Sequence, residues 1–171
     1  SENNFIYYVL GKKERHTLAD YVTGVEETST NKIVLYSSAQ TGKTTELKQL
    51  CWELQQSGLY LPVSFEVRTN TKLKRDDLPE SQYVDGREVV LVIDALDEVN
   101  GQKYEDLLEE IGGYAYEHPE MKMVLSCRSN FRRERQLELF TELFLEELSI
   151  DDARDYAAKR EVNSCLLYTS D

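Results

Sequence analysis

Five aliphatic residues in a row, Val89-Val90-Leu91-Val92-Ile93, run straight into a carboxylate, Asp94. No polar residue alternates with them, so both faces of this strand have to be covered by protein. A sheet buried on both faces is characteristically parallel, with helices packed on each side. The rest of the chain agrees. Ile33-Val34-Leu35-Tyr36 and the stretches 61–67, 121–126 and 144–148 also read as strands. Helical spacing falls between them: Leu47, Leu50, Cys51 and Leu54 within 44–56, then Leu107, Leu108 and Ile111 within 104–116. Gly58 reads as the stop of the first helix, and Gly112-Gly113 weakens the end of the second. Residues 5–10 read as a short strand or a helix start, and 68–86 as a polar connection. Pro62 lacks an N–H, so it belongs at the start of its strand or on a sheet edge. The expectation is a three-layer α/β fold: a mostly parallel five-stranded sheet with helices on both faces.

A carboxylate ending a buried strand needs a reason, because leaving it unpaired costs several kcal/mol. At the carboxyl end of a parallel strand it faces the crevice where such sheets bind ligands. There Asp94 can meet a Mg²⁺ ion held by nucleotide phosphates. Asp97 or Glu98 can then position and deprotonate an attacking water; the alternative is that this pair simply opens a solvated loop before Gly101.

Upstream, the strand at 33–36 leads into a small-residue loop, then Gly42-Lys43-Thr44, then an amphipathic helix. That order suits a phosphate loop. Backbone N–H groups and the helix dipole converge on one anion site. Ala39, Gln40, Thr41, Gly42, Lys43, Thr44 and Thr45 form the expected nucleotide cradle. Lys43 reaches the β- and γ-phosphates, and Thr44 joins Asp94 as a Mg²⁺ ligand. The full pattern wants glycine where Ser37 stands, and Gln40 occupies another common glycine position. The alternative is a chance tripeptide opening a surface helix. Three acids beside a triphosphate would repel it, so tight binding is expected to require Mg²⁺.

Val124-Leu125-Ser126-Cys127-Arg128 brings a hydroxyl and a cation to the end of another strand. Ser126 or Arg128 can sense the γ-phosphate from there. Arg132, Arg133 and Arg135 read instead as a solvated face pairing with Glu134 and Glu138. No chemistry is assigned to His16 or His118.

A length of 171 residues suits one domain, and a formal net charge of −12 repels nucleic acid. The three cysteines have neither metal-ligand spacing nor a disulfide framework, which points to a reducing cytoplasm. The aliphatic runs are too short to span a bilayer. The last seven residues, Cys165-Leu166-Leu167-Tyr168-Thr169-Ser170-Asp171, stand apart. Back-translated as TGT CTC TTA TAC ACA TCT, the first six match a transposon end used in sequencing libraries. They are therefore expected to be translated adapter on a truncated read; the same codons in the intact locus would refute this.

Together these motifs resemble the NACHT family, in the STAND class of P-loop NTPases, over residues 32–160. Gly42-Lys43-Thr44-Thr45 matches the end of its Walker A motif, apart from Ser37. Ile93-Asp94-Ala95-Leu96-Asp97-Glu98 matches its Walker B form, a small residue after the first Asp and an acidic pair at the end. Leu125-Ser126-Cys127-Arg128 is similar to its sensor strand, with Ser129 in place of the usual proline. The resemblance implies an ATP- or GTP-binding switch with slow hydrolysis, self-associating through this domain and serving defence or cell-death signalling. It also implies sensor and effector regions outside this chain. The expected layout is a lead-in at 1–31, the NTPase core at 32–148, the start of a helical lid at 149–164 and the adapter-derived tail at 165–171. A P-loop small-molecule kinase and a scaffold that no longer holds nucleotide are the competing readings.

Overall fold

The aliphatic run sits inside a sheet, as its composition demands. The structure, a computed structural model, describes residues 6–9, 12–16, 18–23, 31–37, 43–67, 72–95, 101–128, 137–146 and 166–169. The elements are β1 (Ile6–Val9), β2 (Lys12–His16), α1 (Leu18–Thr23), β3 (Lys32–Ser37), α2 (Lys43–Ser57) and β4 (Tyr60–Val67). A 3-10 turn (Arg75–Asp77) follows, then β5 (Tyr83–Val84), β6 (Arg87–Ala95), α3 (Gly101–Glu117), β7 (Lys122–Arg128), β8 (Thr141–Glu146) and β9 (Leu166–Thr169).

The five strands expected from the sequence are all present. They pair in parallel in the order β8-β3-β7-β6-β4. Among the described residues the sheet nevertheless has nine strands rather than five. β9 joins β8 antiparallel, β1 joins β9 and β2 closes that side; β5 is a short antiparallel partner of β6. Leu166–Thr169 falls within the segment read as adapter. Leucine, tyrosine and threonine suit any open sheet edge, so this pairing is indifferent to the segment's origin. β8 begins at Thr141, earlier than expected, because Leu143 is its buried anchor and the polar Thr141 and Glu142 belong to the same ladder. The proposed lid helix lies outside the described residues.

Side chains alternate across the sheet into two cores. Ile33, Leu35, Val90, Val92 and Val124 pack under α1 and α2 with Leu18, Tyr21, Leu47, Leu50 and Leu54. Val34, Tyr36, Val89, Leu91, Ile93, Met123 and Leu125 pack under α3 with Tyr104, Leu108 and Ile111. The chain moves one way across the sheet from β3 to β4 and the other way from β6 to β7. Right-handed crossovers then require the two connecting helices to lie on opposite faces, as they do. The β4–β6 connection obeys the same rule. Its described residues include no α-helix, but Leu73 and Leu78 bury on the α3 face. Tyr114 of α3 donates to the Pro79 carbonyl (2.6 Å), and burial pushes that phenol up to about 12.

β4 ends the order, and Pro62 takes the edge position its missing N–H demands. The Glu88 N–H donates to the Leu59 carbonyl (2.9 Å). With Leu61 in register with Val89, odd-numbered residues of β4 therefore turn their peptide groups toward β6, and even-numbered ones, Pro62 among them, turn outward. Lys32 opens β3 buried, with its ammonium on the carbonyls of His118, Pro119 and Met121 just past the end of α3. A cation there complements the helix C-terminus. Among the described residues, no helix is long and apolar enough to cross a membrane.

Candidate functional site

The parallel order fixes where ligand chemistry can gather. β3 and β7 are neighbours, yet the connections leaving them run to opposite sides of the sheet. That divergence opens a crevice at their carboxyl ends. β3 ends there at Ser37, in register with Arg128, the last residue of β7. α2 starts from the same edge at Lys43.

Asp94 lies one strand beyond β7, near the carboxyl end of β6. It follows Val90 and Val92 on one face of β6, so it points to the side covered by α2. It is only 4% exposed, and Ser126 of β7, in register with it, donates its hydroxyl to Asp94 Oδ1 at 2.6 Å. That is the length of a charge-assisted O–H···O⁻ bond. One hydroxyl uses one of the roughly four acceptor positions of a carboxylate. A carboxylate accepting such a bond can also serve a hard cation. Mg²⁺ keeps several waters and takes only one or two carboxylates plus phosphate oxygens. Among the described residues no group of three or more His, Cys, Asp and Glu forms a metal cage, and a Mg–nucleotide site does not need one.

The expected cradle divides in two. Lys43 and Thr44 open α2, and Thr45 lies exposed on its first turn. Ala39, Gln40, Thr41 and Gly42, and the acidic pair Asp97 and Glu98, lie outside the described residues. Arg128 holds a backbone place at the carboxyl edge, two residues beyond Ser126.

Three features escaped sequence reasoning. Glu46, in the first turn of α2, is 3% exposed, and its Oε2 has no hydrogen-bond partner among the described residues. Burial, with the Glu53 charge assisting, pushes its carboxyl up to about 9. It is therefore neutral at pH 7 and adds no repulsion to an anion at the start of α2. Its position one residue before the Leu47-Leu50-Leu54 stripe was the available signal. Glu66 of β4 stands in register with Asp94, and both line a cavity beside α2. The alternation Val63-Ser64-Phe65-Glu66-Val67, which puts Ser64 and Glu66 on one strand face, was the available signal. Cys51, half-buried on α2, lines the same cavity, and burial raises its thiol, which makes it a poor nucleophile.

No protein-family model matches this chain, and no curated protein matches it either.

Proposed function

We propose that the chain is the core of a nucleotide-binding molecular switch with a P-loop fold: an NTPase of the NACHT type, with ATP preferred over GTP. The observation that supports this reading is the hydrogen bond from Ser126 to Asp94 near the carboxyl ends of β7 and β6, the edge of the sheet from which α2 sets out after β3. The sequence Gly42-Lys43-Thr44 opens that helix, and Ile93-Asp94-Ala95-Leu96-Asp97-Glu98 continues from β6.

Each residue then has a task. The first turn of α2 offers backbone N–H groups and a dipole to the phosphates. Lys43 extends to the β- and γ-phosphates. Ser126 holds the Asp94 carboxylate in one orientation, and Thr44 and Asp94 would hold Mg²⁺. An ion held by these two residues would supply charge neutralisation at the phosphate oxygens. Asp97 or Glu98 orients a water and accepts its proton, and Arg128 senses the γ-phosphate. Catalysis of this kind rests on positioning and charge, so hydrolysis is slow and suits a timer. Nucleotide state would govern self-association through this domain, with sensor and effector regions elsewhere in the protein and a cytoplasmic setting.

Thermal melting with and without Mg·ATP tests the proposal. Ligand at a hundred times its Kd adds about 2.7 kcal/mol, a rise of roughly 5–10 °C for a domain of this size. The rise is expected with Mg·ATP, and is expected to disappear with excess EDTA or in Lys43→Ala. The ligand-free melting of that variant should match the parent. A shift that survives both changes would refute the site; no shift at all would favour a nucleotide-independent scaffold.

A further inference from the structure

Two tasks compete for Ser126. Its place near the carboxyl end of β7, two residues before Arg128, is where a γ-phosphate would be sensed. Its side chain, however, is fully buried, and its hydroxyl donates to Asp94 Oδ1 at 2.6 Å. A hydroxyl has one proton to donate. While that bond stands, Ser126 has none to give a phosphate oxygen. Of the two residues, Arg128 keeps the expectation of a γ-phosphate sensor, and Ser126 acts on Asp94.

The surroundings hold the bond in place. Ser126 and Asp94 are in register on neighbouring strands, which fixes one backbone against the other. Val92, Ile93, Val124, Leu125 and Cys127 around them are all buried. Water is kept from competing for either partner, and the apolar setting strengthens the bond.

Such a bond controls orientation. Hydrogen bonds to a ligating carboxylate set how it faces a metal, and losing one typically costs roughly 10- to 100-fold in metal affinity or activity. The two common hard divalent ions respond differently. Mg²⁺ demands near-ideal octahedral geometry, whereas Ca²⁺ accepts about six to eight oxygens in a flexible shell. A carboxylate held in one orientation suits the first ion. A carboxylate that can turn serves the second equally well.

We propose that Ser126 is a positioning residue that sets the metal specificity of this site, favouring Mg²⁺ over Ca²⁺ through its hold on Asp94. The proposal rests on the nucleotide reading above, which needs a divalent ion at Asp94 but names no residue that selects it.

The full chain is melted in saturating ATP while free Mg²⁺ or free Ca²⁺ is raised, and the concentration giving half of the maximal rise in melting temperature is read for each ion. The parent is expected to respond at lower Mg²⁺ than Ca²⁺. In Ser126→Ala the Mg²⁺ half-point should rise about tenfold or more and the Ca²⁺ half-point much less, so that the preference collapses. Ser126→Thr keeps the hydroxyl and should keep the preference. A merely structural role would lower the ligand-free melting temperature of Ser126→Ala and leave the ratio of the two half-points unchanged. Given a parent that responds to Mg·ATP, three results would overturn this proposal alone: equal half-points for the two ions in the parent, an unchanged ratio in Ser126→Ala, or a collapsed preference in Ser126→Thr. A parent with no metal-dependent rise would overturn the nucleotide reading and this proposal together.

Discussion

Glu46 is the residue whose environment most alters its chemistry. Its carboxyl titrates near 4.5 in the unfolded chain and at about 9 in the folded one, so between those values the folded state holds an extra proton. Its contribution is full below pH 4.5 and is lost as pH rises toward 9. Glu46→Gln keeps the shape and removes the titration. Urea melts should find this variant close to the parent near pH 4.5 and more stable near pH 8, by on the order of 3 kcal/mol. Parallel pH profiles for the two proteins would show that Glu46 is not the cause. Lys32 acts in the opposite sense. Burial lowers its ammonium from 10.5 to about 8, so the unfolded chain holds the extra proton and stability rises with pH across that window. Gly113 has a different constraint: a Cβ there would run into the Arg75 guanidinium, which bonds Glu117 at 2.6 Å. Alanine in a helix interior gains about 1 kcal/mol over glycine, and a part-exposed ion pair is worth about 0–1 kcal/mol. Gly113→Ala should thus be near neutral alone, yet stabilise by about 1 kcal/mol in an Arg75→Ala background. A double-mutant cycle in denaturant checks it, and simple additivity would count against the clash.

At the scale of elements, β5 shows what a composition-led reading loses. Residues 68–86 are polar and mixed in charge, which suggests a connection without strands. The pair Asp85-Gly86 nonetheless turns the chain at φ 50° and 77°, bringing Val84 opposite Arg87 and Tyr83 opposite Glu88. Two residues at positive φ make the tight turn that hairpins favour, and Asp-Gly is its short-range signature. Open space surrounds Gly86, so Gly86→Ala meets no side chain and its cost is backbone strain alone, about 1–2 kcal/mol. Chemical denaturation measures this, and a neutral result would mean the turn relaxes to another form. The helices were easier to read. Leu47, Leu50 and Leu54 in α2, and Leu107, Leu108 and Ile111 in α3, are buried where their spacing put them.

The whole molecule is a parallel five-stranded body with additions. β1 reaches that body through β9, which lies between it and β8. The β1–β2 hairpin therefore depends on Leu166–Thr169 for its place in the sheet. Ending the chain at residue 164 should free the amides of 6–16 to hydrogen exchange. The melting of the parallel body should change little, because the described residues of both cores lie in the other elements. Retained protection at 6–16 would show that the hairpin is held some other way.

The sequence by itself determined the parallel strands and the two long helices, and limited Pro62 to a strand start or a sheet edge. Each follows from a local rule: an unbroken aliphatic run, a helical period, a missing N–H. It also put Asp94 at the end of its strand and Ser126 at the end of another. Only the tertiary structure decided that β6 and β7 are neighbours in a register that joins Asp94 to Ser126, and that Glu66 lies on the other side of Asp94. It alone decided the burial of Glu46 and Lys32 as well. Strand order and register come from how whole faces pack, and a side chain's proton affinity comes from the dielectric that packing creates around it.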